Sequence, residues 1–241
     1  MTKSKKLVRM IMFSMLVAIG VVISPLLRVE GMCPMAHFIN IVCSVLLGPW
    51  NSLLCALTIG IIRMATMGIP PIALTGAVFG AFLSGVFYKT SKGNLLTAVL
   101  GEVIGTGIIG AIISCPVMTF FWGREELGLF FYIPSFVCGT LIGGSIAFAF
   151  LKKLSQGGLL TKFQSVLGSA SYNGKMGLLG DSIAIASMGG VLFTVISVLN
   201  SMFKIDSQLL RTVSYLLVIG FVIAAAIYYI SGCVKNGRKD N

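Results

Sequence analysis

Long apolar stretches free of Asp, Glu, Lys and Arg dominate the chain. They cover 10–27, 31–62, 64–88, 93–101, 103–123, 127–151, 182–203 and 212–234. A membrane-spanning helix needs about 20 apolar residues. Five of these runs suit one helix each, the first with basic neighbours that snorkel outward. Residues 93–123 make one more, interrupted only by Glu102. The run 31–62 is too long for one: as a single helix it would reach about 48 Å, beyond the roughly 40–45 Å of a whole bilayer. Gly48-Pro49-Trp50-Asn51 breaks it in the middle, a helix-stopping turn signal.

Charge distribution separates a kinked helix from a hairpin at this point. With the N-terminus inside, a hairpin places 13 basic residues inside and five outside, whereas a single kinked helix places eight inside and ten outside. The excess of Lys and Arg belongs on the cytoplasmic side, so the hairpin is predicted, with both termini cytoplasmic. Helices are then expected at about 7–25, 37–48, 50–66, 73–89, 94–120, 131–153, 180–203 and 208–233. On this topology Trp50, Tyr88, Tyr228 and Tyr229 fall at the inner interface, and Trp122, Tyr132 and Tyr215 at the outer one. The expectation is an all-α, polytopic membrane bundle. Residues 1–154 form a six-helix domain, 155–180 a polar linker, and 181–241 an additional C-terminal helix pair. The basic-then-apolar start resembles a signal peptide, but no A-x-A site follows, so it reads as a retained helix.

Composition narrows the class. Hydrophobic residues make up 56% of the chain and charged residues 10%, against about 25% charged in an ordinary soluble domain. The net charge of +11 sits in short clusters between apolar runs. A soluble globular, disordered or nucleic-acid-binding chain is thereby excluded. Six cysteines without a C-x-x-C spacing read as small packing residues, and a single histidine argues against a zinc site. No P-loop is present; Gly174-Lys175 is followed by Met176. No metal, cofactor or nucleotide site is expected, so any uphill transport must draw on other subunits.

Candidate chemistry is sparse. Glu102 lies well inside an apolar helix, where a charge is costly and should face the bundle; it reads as a ligand contact, a proton site or a buried acid bonded to a neighbouring helix. His37 and Asn40, three apart at the start of the second helix, share one face and both donate and accept hydrogen bonds; the alternative is capping at the interface. Arg63 closes the third helix, as an anchor or a contact. Gly101 and Gly105, like Gly76, Gly80 and Ser84, form small-x-x-x-small patterns that let helices approach closely.

His37-Phe38-Ile39-Asn40, Val45-Leu46-Leu47-Gly48-Pro49-Trp50, Arg63, Gly76-Ala77-Val78-Phe79-Gly80-Ala81 and Gly101 through Ala111 together resemble the ThiW family. The similarity spans about 7–153. It implies a substrate-capture (S) component of an energy-coupling factor transporter for hydroxyethylthiazole, the thiazole precursor of thiamine. It further implies a six-helix fold in the lipid bilayer of the cell membrane, a ligand near the outer face, and as partners a transmembrane coupling subunit and two ATPases. Ser14 and Ala18 would suit the coupling contact. Substrate contacts would come from His37, Asn40, Thr75, Tyr132 and Ser135, near the outer ends of helices 2, 4 and 6, and from the deeper Glu102 of helix 5. After Arg63 the chain departs from the family's Arg-Asn and Gly-Thr-Gly stretch, and residues 155–241 have no match there.

Other classes compete: an S component for another vitamin or small solute, an assembly protein, and a membrane-embedded enzyme with Glu102 and His37 as acid and base. On the predicted topology those two lie at different depths, which argues against a catalytic pair, and no catalytic residues are assigned.

Overall fold

The computed structural model describes residues 3–26, 28, 32–124, 128–169, 171–172 and 208–237, with isolated positions between 182 and 196. Its regular elements are helices: α1 (Lys3–Ile23), α2 (Pro34–Leu47), α3 (Pro49–Met67), α4 (Ile72–Thr90), α5 (Leu95–Trp122), α6 (Ile133–Gln156), α7 (Leu159–Leu167) and α8 (Gln208–Gly237). Six of them are long and apolar enough to cross a bilayer: α1, α3, α4, α5, α6 and α8. The chain forms two compact units, 1–174 and 175–241.

In the first unit the hairpin forms where the turn signal stands. Gly48 takes φ +82°, a left-handed conformation that favours glycine, and Pro49 opens α3 at the first helical position. The resulting α2 has 14 residues, about 21 Å, shorter than the roughly 30 Å hydrocarbon core of a bilayer. It is apolar all round and accordingly buried, with α1, α3, α4, α5, α6 and α7 packed about it. Ile39, Ile41, Cys43, Val45 and Leu47 are its innermost side chains.

A helix that ends inside the protein leaves its last carbonyls without partners, and three side chains supply them. Gln164 Nε2 donates to Val45 O at 3.0 Å, Asn51 Nδ2 donates to Leu47 O at 3.1 Å, and the Arg9 guanidinium donates to the same oxygen. A cation there also suits the negative end of the helix dipole. Gln164 belongs to α7, inside the stretch 155–180 that the sequence reads as a linker. Within that segment's polar average, Leu160, Gln164 and Leu167 recur at helical spacing, and all three are buried. The helix therefore docks onto the first unit.

α4 and α5 approach backbone to backbone. A methyl group on Gly101 would fall 2.6 Å from Leu83 O, and one on Gly105 2.5 Å from Phe79 O. The third glycine of this face is Gly110, where a methyl would lie 3.0 Å from Gly76 O. The spacing thus changes from four residues to five. The helix makes the same change: Val103–Gly110 is π-helical, with i→i+5 bonding, flanked by α-helical Leu95–Glu102 and Ala111–Trp122. The wider turn keeps Gly105 and Gly110 on one face.

The second unit contains α8. Gly189 lies under Phe221, and the rings of Phe193 and Tyr215 meet at 5.3 Å. The helix expected at 180–203 falls mostly outside the described residues. Two of the tyrosines assigned to interfaces are buried instead: Tyr88 and Tyr132 are 4% and 6% exposed. Tyr88 accepts from Gln164 Nε2 through its hydroxyl at 2.9 Å, and the Tyr132 ring packs against Phe136 at 5.8 Å.

Candidate functional site

Glu102 is fully buried in the last turn of α5 before the π segment. Three donors converge on one of its oxygens. His37 Nδ1 and Asn40 Nδ2, both from α2, lie 2.9 Å from Oε1, and Thr106 Oγ1, one turn on in α5, donates at 3.0 Å. His37 Nδ1 is within hydrogen-bond distance of the same oxygen, and in the tautomer that donates there Nε2 is left as an acceptor. The other carboxylate oxygen, Oε2, has no protein hydrogen-bond partner. It faces α4 at Gly80, where a methyl group would lie 2.6 Å from it.

The expected difference in depth between His37 and Glu102 is overturned. That expectation let α2 run to the outer surface. The real α2 begins at Pro34 within the bundle, so its first turn stands beside the middle of the longer α5. Over roughly 15 Å from the inner end of α2 and 10 Å from that of α5, side-chain length closes the remaining gap. Arg63 also departs from the anchor reading: at 3% exposure it does not reach outward.

A small cavity of about 70 Å³ opens on the far side of this cluster. Ala36 and His37 of α2, Arg63 of α3, Gly76 and Ala77 of α4, Thr106 of α5 and Phe136 of α6 line it, together with Arg28, Ile69 and Ile72. Gly76 makes room for Phe136, whose ring a methyl there would meet at 2.8 Å. Gly139 likewise admits His37, at 3.2 Å from its Nε2. Glu102 stands behind the wall, bonded to His37 and Thr106 of the lining and to Asn40.

The structure therefore brings His37, Asn40 and Glu102 together. It places Thr75, Tyr132 and Ser135 elsewhere. Thr75 Oγ1 is 2.6 Å from Ser114 Oγ, Tyr132 packs with Ala111, Cys115, Met118 and Phe136, and Ser135 Oγ donates to Tyr132 O at 3.1 Å. Thr106 and Phe136 were not anticipated. Thr106 stood four residues after Glu102 in the glycine-rich string, and Phe136 four after Tyr132, so helical spacing pointed to both. Ser14 and Ala18 of α1 are exposed. Among the described residues, no group of His, Cys, Asp and Glu is arranged to hold a metal ion.

A multi-pass helical bundle, with a small and largely apolar chamber walled by five helices, defines an integral membrane protein. The model of the ThiW family, thiamine-precursor transporter protein, matches residues 10–157. The chain belongs to this family. The match covers the helices that build the chamber, α2 to α6. No curated protein and no solved structure matches the chain.

Proposed function

We propose that the protein is the substrate-capturing S component of an energy-coupling factor importer and that it takes up hydroxyethylthiazole. The carrying observation is the cluster of His37, Asn40 and Thr106 on Glu102 Oε1 behind an apolar chamber. A largely apolar pocket with a few fixed polar groups suits a small, weakly polar heterocycle. Asn40 and Thr106 hold the Glu102 carboxylate, which in turn holds the imidazole through Nδ1; in that tautomer Nε2 can accept from the ligand's hydroxyl. Phe136 offers a ring for the thiazole to pack on.

Energy would come from two ATPases acting through a transmembrane coupling subunit, since the chain carries no P-loop. The exposed face of α1 with Ser14 and Ala18 suits the coupling contact, and the cell membrane with both termini cytoplasmic is the location. A different small solute is the second reading. It is favoured by the segment after Arg63, which departs from the family and contributes Ile69 and Ile72 to the chamber.

Equilibrium binding of labelled hydroxyethylthiazole to the purified protein tests this. Saturable binding with the ligand recovered unchanged is expected. Chemical turnover would point to an enzyme, and saturable binding of another vitamin precursor alone would leave only the S-component role.

A further inference from the structure

We infer that Arg63 is a specificity-determining residue that reads a hydrogen-bond acceptor on the ligand, the sp² ring nitrogen of the thiazole. The inference rests on the chamber being the ligand site. A guanidinium has five N–H donors and no acceptor. Arg63 is 3% exposed, so its contact with bulk water is slight. Its one hydrogen bond runs from Nη2 to Cys33 Sγ at 3.5 Å, and a thiol is a weak acceptor. Its Nε has no partner. The carboxylate of Glu102 lies against His37, 2.9 Å from its Nδ1, and Arg63 takes no part in that contact.

A buried cation so poorly matched is strongly penalised, and ordinary packing does not call for one. Arg63 nevertheless lines the chamber beside Ile69, Ile72 and Ala73, and among the described residues no acidic side chain lines it. The missing acceptor must come from what enters. His37, also on the wall, is a second polar group there, and in the tautomer that donates from Nδ1 to Glu102 its Nε2 is an acceptor, giving the chamber donor and acceptor ends. A ligand with a ring nitrogen at one end and a hydroxyl at the other matches both, which sets its orientation: nitrogen toward Arg63, hydroxyl toward His37.

Three probes of nearly equal shape test the assignment. They are hydroxyethylthiazole, the corresponding thiophene, which lacks the ring nitrogen, and the N-methylthiazolium, in which the nitrogen is blocked and cationic. Sites built to hydrogen-bond a group reject analogues lacking it. Wild type should bind the thiazole at least about tenfold more tightly than the thiophene and should bind the thiazolium most weakly. Arg63→Met should lower thiazole affinity to the thiophene level, leave the thiophene unchanged and bind the thiazolium better than wild type does. Equal binding of thiazole and thiophene by wild type overturns the assignment while leaving the ligand class standing, and this comparison needs no variant to fold. An equal loss for thiazole and thiophene in Arg63→Met also overturns it, since a structural role would do that. Failure of wild type to bind any of the three removes the thiazole reading and Arg63's role together.

Discussion

At the residue scale, the chamber depends on Glu102 being buried in the one place where three donors reach it. Each buried hydrogen bond left unmade costs about 1–3 kcal/mol. Asn40→Ala removes one of the three donors and frees the carboxylate to shift, so ligand affinity should fall roughly 5- to 150-fold while the protein still folds. Titration of the purified variant checks this, and an unchanged Kd would detach the cluster from binding. Glu102→Leu is harsher. It strands His37, Asn40 and Thr106 in an apolar interior, and about 3 kcal/mol or more of stability should be lost, read as a lower unfolding midpoint in detergent. Glu102→Gln keeps one carbonyl acceptor and should be milder on stability than Leu.

At the element scale, the meeting of α4 and α5 is set by the absence of side chains. Gly105→Ala would force a methyl against the Phe79 carbonyl, which is backbone. Overpacking of this kind destabilises by about 1–3 kcal/mol. Gly220→Ala in α8 is the contrast. Nothing lies within 4 Å of that position, so alanine should be neutral or stabilise by about 0.5–1 kcal/mol through helix propensity. Thermal unfolding of the two variants side by side should give shifts of opposite sign or at least clearly different size. The four-then-five glycine spacing was visible in the sequence. Its meaning was not, because a π turn is recognised only from the backbone bonds it makes, and a five-residue step alone reads as a broken pattern. α7 was hidden for a related reason: averaging over 155–180 erased an amphipathic period only nine residues long.

At the scale of the whole molecule, the basic residues predict the orientation. Single cysteines replacing Lys92 and Arg124, in a background without the six native cysteines, should label from opposite sides of the membrane; labelling from one side would disprove the hairpin topology. The chamber and its supports lie wholly within 1–174. A chain cut after Gly174 should therefore remain folded and bind ligand with affinity close to that of the full chain, measured by the same titration. Much of this architecture was legible beforehand, since hydropathy and charge act locally: a run of apolar residues must be helical in lipid, a Gly-Pro step must interrupt it, and lysines sort to one side. The break at Gly48-Pro49 and the long helices among the described residues followed from these rules. Depth did not. Whether His37 meets Glu102 depends on how far the short α2 sinks among its six neighbours, and whether Arg63 points outward or inward depends on what covers it. Both are set by contacts between segments dozens of residues apart, for which the local pattern of apolar and polar positions carries no signal.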